Sequence, residues 1–446
     1  MLVDTGIPSW FKFRAVSSER PDVSEAYLIT GSSELKGTVQ VAGSKNAALY
    51  AVVASLLTSD EVVLHNVPNI ADIEELSDIL RSLGTVVRRE NHSLILRSEN
   101  ITSTKPPSEL VQKLRASFLV VGALLGREGS AECAAPGGDV IGSRPLDIHL
   151  AGFRALGAEI EHDETNWIVS SSSPLSGASI FFDYPSVLAT VNVLLASVLA
   201  NGVTIIVNAA AEPEVEMVAN MLNQMGANIS GQGTAHINIS GVDKLHGCDF
   251  TIIPDRLEAG TLLLSAIATR GEVLIPNAVP AHLSSLTSKL LEMGADVQTG
   301  GHSDDGSSGI RVSGATKLQS VALQAVPYPG FATDLHPPMA SALTQVTGVS
   351  FIHERVYDNR TLYVSELRKM GAQITLGSSS SVLIEGPSPL RGTRVRALDI
   401  RAGAAVVVAA LAAEGTTTLE DIHHLDRGYE NLAGTLSSIG AKIERV

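Results

Sequence analysis

Cysteine, aromatic side chains, positive charge and long apolar runs are all scarce in this sequence, and each scarcity removes a class of protein. Only Cys133 and Cys248 occur in 446 residues. Two isolated thiols supply neither a disulfide framework nor the paired spacing of a zinc site, and they fit a reducing cytoplasm. Lys and Arg number 32 against 47 Asp and Glu, a formal net charge of -15. That balance argues against the phosphate attraction of nucleic-acid binders and against an anionic membrane surface. An anionic ligand must therefore meet a local cationic pocket. The most apolar stretches, Val193 to Leu199 and Ala404 to Ala413, fall short of the roughly 18 to 20 residues of a membrane span. Residues 1 to 26 hold Trp10, Phe11 and Phe13 interrupted by Lys12 and Arg14, without the apolar core of an export signal, and are read as an N-terminal extension. Aromatics are 4% of the chain, so its interior is built from Ala, Val, Leu and Ile, which suits helices packed closely on sheets. No P-loop, G-x-G-x-x-G, H-E-x-x-H or G-x-S-x-G motif occurs in a supporting context, so the common nucleotide-hydrolase, hydride-transfer, metalloprotease and serine-hydrolase signatures are missing.

What is present is repetition. The length predicts two domains of about 200 residues each. An apolar residue followed by Gly-Ala or Gly-Thr and an apolar strand recurs six times, with glycines at 84, 157, 226, 294, 371 and 440, spaced by 73, 69, 68, 77 and 69 residues. Each copy follows an amphipathic stretch such as Asp72 to Leu83, Met217 to Met225 or Ser284 to Met293, so the glycine reads as a helix C-terminal cap. Alternating strands lie upstream at Glu61 to His65, Val203 to Val207, Glu272 to Ile275 and Thr416 to Leu419. Apolar helices such as Asn46 to Leu57 and Gly260 to Ala268 complete the unit. Six such units divide naturally into two lobes of three.

The unusual residues lie in loops between repeated elements, where a rigid scaffold places chemistry. These loops include Glu212-Pro213-Glu214, Asp358-Asn359-Arg360 and Asp426-Arg427-Gly428-Tyr429. By contrast, the Gly, Ser and Asp run from Gly300 to Gly309 reads as a surface turn. Lys45, Arg115, Arg144, Arg360, Arg401 and Arg427 sit beside turn residues. Singly each suits a surface ion pair; converging, they would bind a multiply anionic ligand. Lys45, ahead of a helix, could join its ammonium to the helix N-terminal amides against a phosphate or carboxylate. Pro136 to Pro145 sets three glycines around Asp139 and Arg144, which suits either a loop that closes on a ligand or a long surface hairpin. Asp334 reads equally as a general base or as a helix N-cap. Cys133, in an alternating apolar strand, reads as a buried structural thiol.

From about residue 27 to the end, these segments resemble the enolpyruvyl transferases, in particular the branch acting on uridine nucleotides. The resemblance rests on Gly43-Ser-Lys-Asn-Ala-Ala48, Leu114-Arg-Ala-Ser117, the Pro136 to Pro145 loop, Asn208-Ala-Ala-Ala-Glu-Pro-Glu214, Asp255-Arg256, Thr333-Asp334, Asn359-Arg360, Asp399-Ile-Arg-Ala402 and Asp426-Arg-Gly-Tyr429. It implies an α/β fold of two inside-out α/β barrels, each of three βαβαββ-type units about a pseudo-threefold axis. The lobes would comprise residues 45–253, carrying a mobile loop, and residues 27–44 plus 254–446, with crossings near Gly43 to Lys45 and Pro254 to Asp255. The implied reaction transfers the enolpyruvyl group of phosphoenolpyruvate to the 3-hydroxyl of UDP-N-acetylglucosamine, with release of phosphate, in peptidoglycan synthesis. It needs no metal or cofactor. Lys45, Arg144, Arg401 and Arg427 would surround phosphoenolpyruvate. Asn46, Arg115, Arg144, Pro145, Leu146, Asp147, Ile148, Ser186, Asp334 and Arg360 would hold the nucleotide. Lys45, Asp139, Asp334 and Arg427 would carry the chemistry, with Asp334 accepting or orienting the proton of the attacking hydroxyl.

The sequence departs from the commonest family pattern in places. Asp139 stands at the loop position where most members carry cysteine, which implies insensitivity to the epoxide fosfomycin. As an acid it would need a raised pKa or a transient protonated form. Tyr184 replaces a lysine near the nucleotide phosphates and Leu188 a glycine. His336-Pro337-Pro338 replaces a Gln-containing stretch, and Asp358 is one methylene shorter than the common Glu. The resemblance puts these positions on the sugar-diphosphate side, so a smaller acceptor such as UMP, as in nucleoside-antibiotic synthesis, is the alternative. A catalytically silent nucleotide-binding paralogue is a second one.

Overall fold

The computed structural model describes residues 25–139, 141–300, 309–314 and 317–446. The turn expected between Gly300 and Gly309 lies mostly outside the described residues, as does the N-terminal extension apart from its last two residues.

The repeated unit is a single chain order. Strand Ser179–Phe181, helix Val187–Ser197, strand Val203–Val207, helix Pro213–Gln224 and strands Asn228–Ser230 and His236–Ser240 follow one another as βαβαββ. The first strand pairs parallel with Val203–Val207, which pairs antiparallel with His236–Ser240, itself antiparallel to Asn228–Ser230. Among the described residues there are five four-stranded sheets with this pattern of pairing and one three-stranded sheet. The last unit borrows a strand from the start of the chain, because Tyr27–Thr30 lies between Thr416–Glu420 and Lys442–Arg445.

The six signature glycines explain why each outer helix stops where it does. All have φ between +89° and +106°, the left-handed region in which a Cβ is penalised. At Gly84 the N–H donates to the Arg81 carbonyl and the next N–H, of Thr85, to that of Leu80. The same two bonds recur after Gly157, Gly226, Gly294, Gly371 and Gly440, so each helix ends in a Schellman motif with its glycine one residue past the cap. Two helices start earlier than expected, and the one expected from Gly260 begins at Arg256. The helix expected from Met217 begins at Pro213, so Pro213 and Glu214 belong to its first turn and not to a loop; proline's fixed φ and missing N–H suit that position.

Leu119–Glu128 packs against both Lys45–Ala54 and Val187–Ser197, and Arg256–Ala268, His336–Leu343 and Ile400–Ala412 pack on one another. These six are apolar nearly all round and almost wholly buried, as helices at the centre of a domain must be. The sheets alternate buried and exposed residues, as in Glu61–His65 and His236–Ser240, and so present one face to the helices and one to water. Helices inside and sheets outside make each half an inside-out α/β barrel. One hydrophobic core draws on residues from Ala47 to Ile252; the other draws on Tyr27, Ile29, Leu35, Val41 and residues from Leu257 to Ile443.

The chain passes between these cores at two adjacent points. Strand Lys36–Thr38 pairs with Glu272–Ile275, whereas Asp249–Thr251 pairs with Glu61–His65. The connections meet at an antiparallel bridge between Gly43 and Pro254. A Cβ on Gly43 would fall 1.7 Å from the Asn66 carbonyl oxygen, so only glycine fits the crossing. Among the described residues no helix is long and apolar enough to cross a membrane.

Candidate active site

Beside the crossing lies a cavity of about 540 Å³ lined from both cores. Two chains of alternating charge run along its wall. The first starts at Lys45, opening residue of the helix capped by Ser44, whose backbone N–H donates to Asp255 Oδ2 at 3.0 Å. Lys45 Nζ lies 2.6 Å from Asp72 Oδ2. The other Asp72 oxygen accepts from Arg427 Nε at 2.8 Å, and Arg427 Nη1 donates to Asp139 Oδ1 at 2.6 Å. Asp72 is wholly buried. Burial pushes the Lys45 ammonium down, and Arg401 and Arg427 add to that shift while Asp72 opposes it.

The second chain centres on Asp334, in the short turn Thr333–Leu335, where its side chain caps no helix. The N-cap alternative is thereby excluded. Arg360 donates to Asp334 Oδ1 and Arg401 Nε to Oδ2, the latter at 2.9 Å. Arg401 is held in turn by the Tyr429 hydroxyl, which accepts from Nη1 at 3.3 Å, and is the second residue of the helix Ile400–Ala412, whose N-cap, Asp399, takes its backbone N–H at 2.7 Å. Burial pushes the Asp334 carboxyl up, but Arg360 and Arg401 outweigh it and hold it well below the usual carboxylate range. Asp139 follows the same logic. Burial raises it, Arg427 and Lys45 pull harder in the other direction, and the net shift is downward. The raised pKa that acid chemistry at Asp139 would need is not what the closed loop produces, because the loop closes onto a guanidinium.

Arg144 donates to the Asp139 carbonyl, and Arg115 to the Arg144 carbonyl. Among the described residues neither guanidinium pairs with a carboxylate. Burial, with Arg144 close by, lowers Arg115 to about 10. The loop reaches the opposite half of the molecule, where the Asn359 N–H donates to the Ile141 carbonyl at 3.2 Å.

Lys45, Asn46, Arg115, Asp139, Arg144, Pro145, Asp147, Ile148, Ser186, Asp334, Arg360, Arg401 and Arg427 all line this one cavity. Leu146 does not; it packs against the first core. Tyr184 and Leu188 line the cavity, whereas His336, Pro337, Pro338 and Asp358 do not. The expected approach of the His-Pro-Pro segment to a ligand is corrected. His336 is fully buried, with Nδ1 2.8 Å from Glu354 Oε2 and Nε2 2.9 Å from the Tyr363 hydroxyl. Burial lowers His336, and Glu354 opposes that shift. Sequence reasoning missed Asp72 and His149 and gave Glu212 a loop but no role, although all three are on the cavity wall. Asp72 carried only the signal of an acid in a helix first turn.

The arrangement can hold a small, multiply charged anion between Lys45, Arg401 and Arg427 with carboxylates on either side. Comparison with known proteins agrees. The family model described as EPSP synthase (3-phosphoshikimate 1-carboxyvinyltransferase) matches residues 29–436. The chain is 46% identical over 422 residues to UDP-N-acetylglucosamine 1-carboxyvinyltransferase 2 of Carboxydothermus hydrogenoformans, covering 95% of this chain and 99% of that one. It is 44% identical over 421 residues to UDP-N-acetylglucosamine 1-carboxyvinyltransferase 2 of Bacillus subtilis, covering 94% and 96%. Among solved structures, the enolpyruvyl transferase NikO from Streptomyces tendae superposes with a TM-score of 0.83 at 25% identity, over 95% of this chain and 99% of that one. The family match runs through both cores and takes in every charged residue of the cavity, and on that evidence the chain belongs to the EPSP synthase family, as an enolpyruvyl (1-carboxyvinyl) transferase.

Proposed function

We propose that this enzyme transfers the enolpyruvyl group of phosphoenolpyruvate to the 3-hydroxyl of UDP-N-acetylglucosamine, in the cytoplasm and for peptidoglycan synthesis. The observation that carries the reading is the pairing of Asp334 with Arg401 on the wall that also holds Lys45 and Arg427. In this reading residues 45–253 and residues 27–44 plus 254–446 are the two lobes, and the substrates bind between them.

Phosphoenolpyruvate brings a carboxylate and a phosphate to Lys45, Arg144, Arg401 and Arg427, and neutralising them is much of the catalysis. Its anionic groups compete with Asp334 for Arg401 and with Asp139 for Arg427. Losing a counter-ion raises each carboxyl toward the range in which it can accept a proton. The acceptor hydroxyl gives its proton to Asp334 as its oxygen bonds to C2 of phosphoenolpyruvate, while a proton adds to the C3 methylene. Asp139, once freed from Arg427 and protonated, gives that proton to C3 and takes one back from the methyl group in the elimination. The tetrahedral adduct then loses phosphate as a methyl proton leaves, which restores the double bond. Asn46, Arg115, Pro145, Asp147, Ile148, Ser186 and Arg360 hold the nucleotide, and Leu146 supports them from the core.

A second acceptor, UMP, is favoured by Tyr184 and Leu188, which line the cavity where a cation and open space would serve a diphosphate. Incubation with phosphoenolpyruvate and either UDP-N-acetylglucosamine or UMP, with phosphate release followed and the product identified by mass, decides between them. Turnover with UMP alone would overturn the sugar-nucleotide reading, and turnover with neither would overturn both.

A further inference from the structure

One side of the cavity is acidic and incomplete. Glu212 lines the cavity and is only 9% exposed. Its Oε1 accepts from the Tyr328 N–H at 3.3 Å, but Oε2 is buried without any hydrogen-bond partner. Although Glu212 immediately precedes a helix, its side chain makes no cap bond. The nearby guanidinium is engaged elsewhere, since Arg256 donates through Nε and Nη2 to the two oxygens of Glu214 at 2.9 and 3.2 Å. A buried polar atom left open on a cavity wall marks a place where a ligand supplies the missing bond.

Charge decides which part of a ligand that is. Burial raises the Glu212 carboxyl, while the Tyr328 N–H and Arg256 oppose that shift; as a carboxylate it repels phosphoenolpyruvate and a nucleotide's phosphates, which are anionic. The remaining donors are the hydroxyls and amide N–H groups of the acceptor. Glu212 lies close enough to the phenols of Tyr50 and Tyr184 to add to the rise that burial gives both, the second pushed up to about 12. Tyr50 stands one helical turn beyond Asn46 and faces the same cavity, which puts the open oxygen beside the acceptor's side of the site.

We propose that Glu212 is a specificity-determining residue whose Oε2 receives a hydrogen bond from a hydroxyl or amide N–H of the acceptor. This rests on the acceptor being a sugar nucleotide or nucleotide bound in this cavity. Such a site rejects an acceptor that lacks the donor, because the carboxylate would then stay buried and unpaired.

Steady-state kinetics of Glu212→Gln with UDP-N-acetylglucosamine and phosphoenolpyruvate test it. Glutamine keeps the volume and an acceptor for the Tyr328 N–H, but exchanges a charge-assisted bond for a neutral one. The acceptor KM is expected to rise about tenfold or more, with kcat and the phosphoenolpyruvate KM within about threefold of wild type and an unchanged melting temperature. An unchanged acceptor KM, or equal rises in both KM values, would overturn the proposal. Calorimetric titration of UDP-N-acetylglucosamine onto Glu212→Gln and onto Glu212→Asp, without phosphoenolpyruvate, reads the same bond independently of turnover. Equal affinity in wild type and both variants would also overturn it. Wild-type protein that releases no phosphate with any uridine acceptor would sink the proposed function instead, which separates the two failures.

Discussion

Arg401 Nε donates to Asp334 Oδ2 at 2.9 Å, while Arg360 holds the other oxygen. A carboxylate so held is ionised and a poor proton acceptor; in the proposed reaction an anion that draws Arg401 away would couple phosphoenolpyruvate binding to activation of the hydroxyl. Asp334→Asn keeps the shape and removes the base, so kcat is expected to fall by about 10²- to 10⁴-fold. Single-turnover phosphate release measures the step directly, and a variant retaining half the wild-type rate would remove Asp334 from the chemistry.

Asp72 joins Lys45 to Arg427 from a fully buried position. Substituting Asp72→Asn leaves the buried Lys45 and the part-buried Arg427 without their shared anion. Breaking a buried pair in this way costs about 3–5 kcal/mol, readable as a fall in denaturant midpoint without change in slope. The phosphoenolpyruvate KM is expected to rise as well, because both cations lose the group that aligns them. Saturating phosphoenolpyruvate should recover part of the lost stability, since bound anion replaces the missing charge.

The parts of this molecule legible in its sequence are those fixed by local requirements. Gly84 and its five counterparts each meet a demand for positive φ that a neighbouring side chain cannot change, and they therefore mark the repeat directly. Lys45, Arg401 and Arg427 were legible through their turn contexts. Asp72 was not, because its partner Arg427 is 355 residues away and nothing near Asp72 distinguishes it from an acid favouring a helix start. His336 misled for the converse reason. The family resemblance put it on the ligand side, but the first turn of its helix directs it into the interior, onto Glu354 and Tyr363. The sign of the Asp139 shift needed three dimensions too, since Arg427 lies 288 residues along the chain.

Glu258 gives the crossing a pH dependence. Its Oε2 accepts from the Ala42 N–H at 3.0 Å, and burial, with Asp255 and Glu430 adding, raises its pKa to about 8. A carboxyl raised above its unfolded value, about 4.3, favours the folded state at low pH. That contribution is lost as pH rises from the unfolded pKa to about 8 and changes little above it. Glu258→Gln, which keeps an oxygen for Ala42, is expected to flatten the fall in melting temperature between pH 5 and 8. An identical pH profile in variant and wild type would show that Glu258 does not carry the effect.

Asp139 decides how the enzyme meets an electrophile. A thiol at this position would lie against Arg427 and Lys45, two cations that favour thiolate, whereas the native carboxylate offers fosfomycin no soft nucleophile. Cys133 cannot stand in, because burial pushes its thiol up to about 12 in the strand Ser130–Ala134. Wild-type enzyme is therefore expected to keep its activity through prolonged incubation with fosfomycin and acceptor. Asp139→Cys should lose activity progressively and gain one fosfomycin mass on the peptide carrying residue 139. Time-dependent inactivation of the wild type would mean that another nucleophile reaches the cavity. An unmodified Asp139→Cys would mean that Arg427 and Lys45 do not activate a thiol there, and the charge chain from Lys45 through Asp72 to Arg427 would need a different chemical reading.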